Sequence, residues 1–148
     1  MIKGITQMAK KKSKGSTGLN RKNTENFIEK YQSKADVVLH ESGLMYRVID
    51  TSAQTNKTSP TADSYVKIHQ RILLADGSVI ADSYKANLPE ELYVAEAIAG
   101  LQIGLLLMKV GERFEIVVPP DLAWGKKGNG GKIGPNAVLI FDVRLLAC

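Results

Sequence analysis

The chain has 148 residues, 44% of them hydrophobic and 24% charged, with 13 glycines and 5 prolines. This is the composition of a globular protein of roughly one domain's length, and it excludes a fibrous or wholly disordered chain. Lys3, Lys10, Lys11, Lys12, Lys14, Arg21 and Lys22 all precede the first acid, so residues 1–22 carry +7 while the remainder sets 13 bases against 15 acids. No run approaches the roughly 18 apolar residues of a membrane span, and the N-terminus lacks the apolar core of a secretory signal. The expected location is therefore cytoplasmic. The single cysteine, Cys148, rules out an internal disulfide or a multi-thiolate metal site.

Residues 1–22 mix that charge with Gly4, Ser13, Gly15, Ser16, Thr17 and Gly18 and have little to bury, so they read as a basic disordered arm. Translation could start at Met1 or at Met8, which precedes the lysine run. Residues 23–40 read as a short helix and connector: Asn23 or Thr24 supplies an N-cap, and Phe27, Ile28 and Tyr31 share one face. About three turns are expected, ending before Val37. Residues 41–148 form the main domain.

Within that domain, 42–50 alternates as a strand, and 51–63 is a Thr-, Ser- and Asn-rich loop around Pro60. A second strand begins at Ser64, with Val66, Ile68, Ile72 and Leu74 on one face, Lys67, His69 and Arg71 on the other, and Gln70 breaking the pattern. It closes at the turn pair Asp76-Gly77, and 78–81 returns as a short strand. Residues 84–91 read as a polar loop around Pro89. Residues 98–108 are the one body helix, with Ile98, Leu101, Leu105 and Met108 on a stripe that Ile103, Leu106 and Leu107 widen nearly all round, so it must be largely covered. Gly111 is read as its C-cap. A strand over 112–118 stops at Pro119-Pro120, a loop with five glycines follows over 125–135, and a final strand covers 137–146. The expected class is α+β.

The stretch 108–146, MKVGERFEIVVPPDLAWGKKGNGGKIGPNAVLIFDVRLL, resembles the C-terminal half of an FKBP-type peptidyl-prolyl cis-trans isomerase. It has the ordered pattern M-x-x-G, an alternating strand, V-P-x-x-L-A-aromatic-G, a glycine-rich loop, and P-N-A-x-L-x-F-D-V-x-L. The segment ESGLMYRVI, the Asp76-Gly77 turn and Ile98-Ala99-Gly100 fall in order upstream, and the lead-in from Phe27 to Leu44 is similar to macrophage-infectivity-potentiator-like bacterial members. The resemblance spans residues 26–146. It implies a twisted antiparallel β-sheet wrapped around one short α-helix, with a shallow apolar pocket that takes a prolyl ring. It further implies proline-containing polypeptides as substrates, a macrolide as a possible ligand, and no cofactor or metal.

Carried over one residue at a time, the resemblance assigns the catalytic positions to Trp124, in place of a tyrosine, to Phe141 and to Ile98. It gives substrate-binding positions to Ile80, Ala97, Leu101, Gln70, Ile133, Leu92 and Asp82. Several depart from the pattern. Gln70 stands for a tyrosine, Ile80 for a phenylalanine, Ala81 for an aspartate, Leu101 for a tryptophan, Leu92 for a phenylalanine, Ala97 for a valine and Asn129 for a loop histidine. Asp82 would replace the lost carboxylate only if the strand bulges. The expected activity is a weak prolyl isomerase. The alternative is a non-catalytic FKBP-fold protein-binding or chaperone module, docked to RNA or the ribosome by residues 1–22. Phe141, Ile98 and Leu101 also fit plain core packing, His69 reads as a structural strand histidine, and His40 is expected to be exposed without a partner.

Overall fold

The computed structural model describes residues 17–51, 57–130 and 133–148. Most of the basic arm and the choice between Met1 and Met8 lie outside these residues, as do Gly131 and Lys132 of the glycine-rich loop.

The chain order is α1 (Thr17–Gln32), β1 (Val38–Leu39), β2 (Met45–Asp50), β3 (Tyr65–Leu74), β4 (Val79–Asp82), α2 (Ser83–Ala86), β5 (Glu90–Tyr93), α3 (Ala99–Leu107), β6 (Arg113–Val118) and β7 (Leu139–Ala147), with one-turn 3-10 helices at Val94–Glu96 and Pro120–Leu122. The strands form one seven-stranded antiparallel sheet in the order β1-β2-β6-β7-β3-β4, and β5 also pairs with β3. Three register shifts, at Val48/Asp50, Lys67/Ile68 and Ile72/Leu73, interrupt the ladders. Each adds local twist, and the sheet curls around α3.

Period-two alternation gives this sheet two apolar faces. The inner face carries Val66, Ile68, Phe114, Ile116, Val118, Leu139, Phe141, Val143 and Leu145, which pack with Leu101 and Leu105 of α3 and with Met108 just after it into the main core. Two glycines bring the helix close: a Cβ on Gly100 would run into the Val118 side chain, and one on Gly104 would lie 2.5 Å from Ile116 Cδ1. The helix is less enclosed than its sequence suggests, because Leu106 points outward at 43% exposure. It also ends at Met108, three residues before Gly111, whose positive φ serves instead the turn into β6.

The outer face holds a second core of Met45, Val117, Val138 and Ile140, covered by Phe27, Ile28 and Tyr31 of α1. The expected apolar face of this helix is correct, but its start is not. Residues 17–22, read as disordered arm, are helical, and Thr24 is not a cap. Its buried hydroxyl instead donates to Asn136 O at 2.6 Å and accepts from the Val138 N–H at 3.1 Å, while Asn20 Nδ2 donates to Pro135 O at 3.0 Å. Tyr31 donates to Glu115 Oε1 at 2.9 Å, and Arg47 Nε reaches the same oxygen at 3.1 Å. Burial, reinforced by Glu115, pushes the Tyr31 phenol well above its usual range.

Local polar bonds explain the other departures. Val38 and Leu39, placed in the connector, pair with Tyr46 and Met45 and so extend the sheet before residue 41. The segment expected as a polar loop over 84–91 holds α2 and the start of β5, because Asp82 Oδ1 caps α2 by accepting from the Lys85 N–H at 3.1 Å. His40 is half-buried and does have a partner, with Nδ1 2.8 Å from Ser42 Oγ.

Candidate active site

Eight of the ten residues named from the sequence meet in the main core and at its margin. Phe141, Leu101 and Ile133 are buried there, and Ile80, Leu92, Ala97, Ile98 and Trp124 pack against them half-buried. Each arrives by a different route. Phe141 lies on β7 opposite Ile72 and Ile116. Ile98 precedes the first turn of α3 in extended conformation, and Leu101 lies one turn in. Ile80 is the extra residue of a bulge, since Ile72 pairs with Ala81 and Leu73 with Val79. Leu92 pairs with Val66 on β5.

Trp124 follows the Pro120–Leu122 turn and stands at the start of the glycine-rich loop. That loop is tied down by backbone bonds: Gly125 N–H to Pro120 O at 2.8 Å, Gly128 N–H to Trp124 O at 3.2 Å, and Asn129 N–H to Ile133 O at 2.7 Å. Gly128 has φ of 71°, and a Cβ there would strike the Ile133 carbonyl. The glycines thus permit a tight return that sets Ile133 against the core.

Two donors border the half-buried residues. Among the described residues, the Ile98 backbone N–H has no hydrogen-bond acceptor, as expected ahead of a helix whose first N–H groups lack intrahelical partners. The Trp124 indole N–H likewise bonds to none of them. The floor is closed: Phe141 is only 2% exposed, so a ring reaches its face only when the side chains above it shift.

Gln70 is the one buried polar group of this inner face of β3, set between Ile68 and Ile72 and opposite Val143. Its Nε2 donates to Glu90 Oε1 at 3.1 Å, a partner that sequence reading missed because 90–91 carries no strand alternation. Asp82 does not join the site. It pairs with Arg71, and directly opposed residues share a face, so it lies on the outer side and is engaged in capping α2. The bulge is present, but one residue too early to bring this carboxylate inward.

The outer face beneath carries a polar cluster. Arg113 makes a bidentate pair with Asp142, at 2.8 Å from Nε to Oδ1 and 2.6 Å from Nη2 to Oδ2. Tyr84 donates to Oδ1 at 3.1 Å, and Arg71 Nη2 is 3.9 Å from Oδ2. His69 stacks on Tyr84 with centroids 5.0 Å apart and has Nδ1 2.8 Å from Ser83 Oγ, a structural placement remote from the inner face. Among the described residues no group of three or more potential ligands could hold a metal ion, and no helix is long and apolar enough to cross a membrane.

The arrangement is a curled antiparallel sheet around one helix with an apolar margin before it. Residues 56–146 match the FKBP-type peptidyl-prolyl cis-trans isomerase family, and residues 1–48 match the domain amino-terminal to it. The chain belongs to this family. It is 36% identical over 143 residues to the outer membrane protein MIP of Legionella longbeachae, covering 91% of this chain and 59% of that one. It is 36% identical over 120 residues to the FKBP-type 22 kDa peptidyl-prolyl cis-trans isomerase of Escherichia coli K12, covering 81% and 57%. The crystal structure of FkpA from Escherichia coli superposes with a TM-score of 0.81 at 31% identity, over 88% of this chain and 59% of that one. The chain thus spans somewhat more than half the length of these relatives.

Proposed function

We propose that the chain is a peptidyl-prolyl cis-trans isomerase of modest activity acting on proline-containing polypeptides. The observation that carries this reading is the pair of donors left unbonded among the described residues, Ile98 N–H and Trp124 Nε1–H, at the margin of an apolar cluster floored by Phe141. Rotation about an Xaa-Pro bond faces a barrier of about 20 kcal/mol and takes tens to hundreds of seconds unaided. As the bond twists, the amide loses resonance and its carbonyl becomes less polar. A dry apolar wall therefore favours the twisted form over the planar one. The two donors hold neighbouring carbonyls of the peptide, so that rotation is confined to one bond. Neither a nucleophile nor a proton carrier is required.

The closed floor argues for weak turnover, because displacing the side chains over Phe141 takes binding energy from the reaction. Each tenfold loss corresponds to only about 1.4 kcal/mol. The test is relaxation of the cis fraction of short Xaa-Pro peptides with a panel of preceding residues. Rates no faster than buffer across the panel would leave the second reading, a non-catalytic protein-binding or chaperone module, which the same covered floor supports. Within the enzyme reading, Trp124→Ala is expected to lower kcat/KM by about tenfold or more while changing the melting temperature little, since Trp124 is only half-buried. An unchanged rate would remove Trp124 from the site.

Contact with RNA or the ribosome through the basic arm rests on its charge alone. Because residues 17–22 belong to α1, a deletion should stop at residue 16. Removing residues 1–16 is expected to abolish salt-sensitive retention on immobilised RNA without altering the melting temperature. Retention that persists would assign such binding to the body of the protein.

A further inference from the structure

The side-chain oxygen of Gln70 is buried without a hydrogen-bond partner. Gln70 is 7% exposed. Its backbone N–H donates to Ser83 Oγ at 2.8 Å, and its Nε2 donates to Glu90 Oε1 at 3.1 Å. A carboxylate only accepts, so the Glu90 bond fixes the NH2 group on that side and turns Oε1 to the other. Its neighbours on the inner face along and across the strands, Ile68, Ile72 and Val143, offer no donor side chain. On its other edge, β3 pairs with β5 as far as Ile68 and with β4 from Arg71 onward, so Gln70 stands at the step between the two.

An acceptor held rigidly in an apolar setting is unfavourable unless a donor arrives. We propose that Gln70 is a specificity-determining residue, whose Oε1 accepts a hydrogen bond from a backbone N–H of the bound peptide adjacent to the proline. This rests on the isomerase reading of the same pocket. A pyrrolidine ring has no donor of its own, and the nearest donors of a bound Xaa-Pro-Yaa segment are the N–H groups of Xaa and Yaa. The family pattern places a tyrosine here, whose hydroxyl both donates and accepts. The glutamine oxygen only accepts, so the replacement narrows what the wall of the pocket rewards.

The test uses the full chain and three peptides: the all-amide Xaa-Pro-Yaa substrate and two depsipeptides in which the Xaa or the Yaa N–H is replaced by an ester oxygen. Both kcat/KM in a protease-free assay and affinity from Trp124 fluorescence are read. One of the two esters is expected to be poorer than the amide by about tenfold, the loss of one buried hydrogen bond, and which ester it is identifies the donor. In Gln70→Met, which keeps length and removes the acceptor, that ratio is expected to fall to near one. Glu90→Ala, at an exposed position, releases the amide and is expected to reduce the ratio without endangering the fold. Esters as good as the amide in the wild type, or a ratio that survives in Gln70→Met, would overturn the proposal. A peptide that binds without accelerated rotation sinks the isomerase reading, while the amide-to-ester affinity ratio still decides the role of Gln70. Absence of both binding and turnover sinks both.

Discussion

Replacing Asp142 by asparagine is expected to lower the unfolding free energy by about 2–3 kcal/mol, measured by urea denaturation at neutral pH. The carboxylate is the only anion that Arg113, Arg71 and Tyr84 share in the described contacts, and its side chain is 13% exposed. Removing one partner of a fully buried ion pair costs ~3–5 kcal/mol, because the other charge is left uncompensated. Arg113 retains 35% side-chain exposure, so water recovers part of that penalty. The expected pH dependence has a definite sign. Burial alone would make the Asp142 carboxyl harder to ionise, but the Arg113 hydrogen bonds and charge, with help from Tyr84 and Arg71, outweigh it and hold the group below the usual carboxylate range. A carboxyl depressed on folding contributes stability above its unfolded pKa, about 3.9, and loses it as the pH falls through the lower folded value. The gap between wild type and Asp142→Asn should therefore be full at neutral pH and shrink in acid below about pH 4. A gap that is constant with pH would show that shape, not charge, carries the effect.

The second large effect is expected at the contact between α3 and β6. Alanine favours a helix over glycine by about 1 kcal/mol, and Gly100 does not have a positive φ, so local preference alone predicts that Gly100→Ala stabilises. Packing reverses the sign. The added Cβ would meet Val118 Cγ2 at 2.9 Å and Cβ at 3.1 Å, with Cγ1 closer still. Valine is stiff at χ1, and Val118 sits on a fully buried strand position, so the helix must move instead. Overpacking of this kind costs roughly 1–3 kcal/mol. Gly104→Ala is the internal control: its Cβ meets Ile116 Cδ1 at 2.5 Å but Cγ1 only at 3.5 Å, and a terminal methyl can rotate away. Thermal melts should rank wild type and Gly104→Ala close together and Gly100→Ala clearly below them. Because Ile98 and Leu101 flank Gly100, the proposed prolyl-isomerase activity per folded molecule should also fall in Gly100→Ala. Equal melts for the two variants would refute the argument from valine stiffness.

The sheet was legible wherever alternation was clean. The strand from Tyr65 to Leu74 ends at the Asp76-Gly77 turn, and Gly77 takes the positive φ that turn requires. Gln70, the one interruption of the pattern, does face the core. What could not be read from one segment was what depends on another. The start of α1 was misplaced because Thr24 satisfies cap chemistry in isolation, whereas its hydroxyl bonds the chain 112 residues later. The two-residue β1 has no periodicity to detect, and β5 was hidden because Glu90 and Glu91 look like loop residues until Gln70 and the partner strand are in place. For the site, the family pattern brought eight apolar residues to one cluster. It did not reveal that Asp82 faces the opposite side, since a bulge moves a side chain across the sheet by a single step.

Consecutive residues of β7 serve separate compartments: Ile140 belongs to the cluster under α1, Phe141 to the floor of the apolar site, and Asp142 to the ionic group. A change on one side of the strand has little purchase on the other. Such insulation lets the wall of the candidate site vary in chemistry, with glutamine, isoleucine and alanine at three aromatic or acidic positions of the pattern, while the leading helix stays clamped to its own side. The architecture can thus outlast alterations to the chemistry it carries, and diversification of the binding surface proceeds without renegotiating the scaffold.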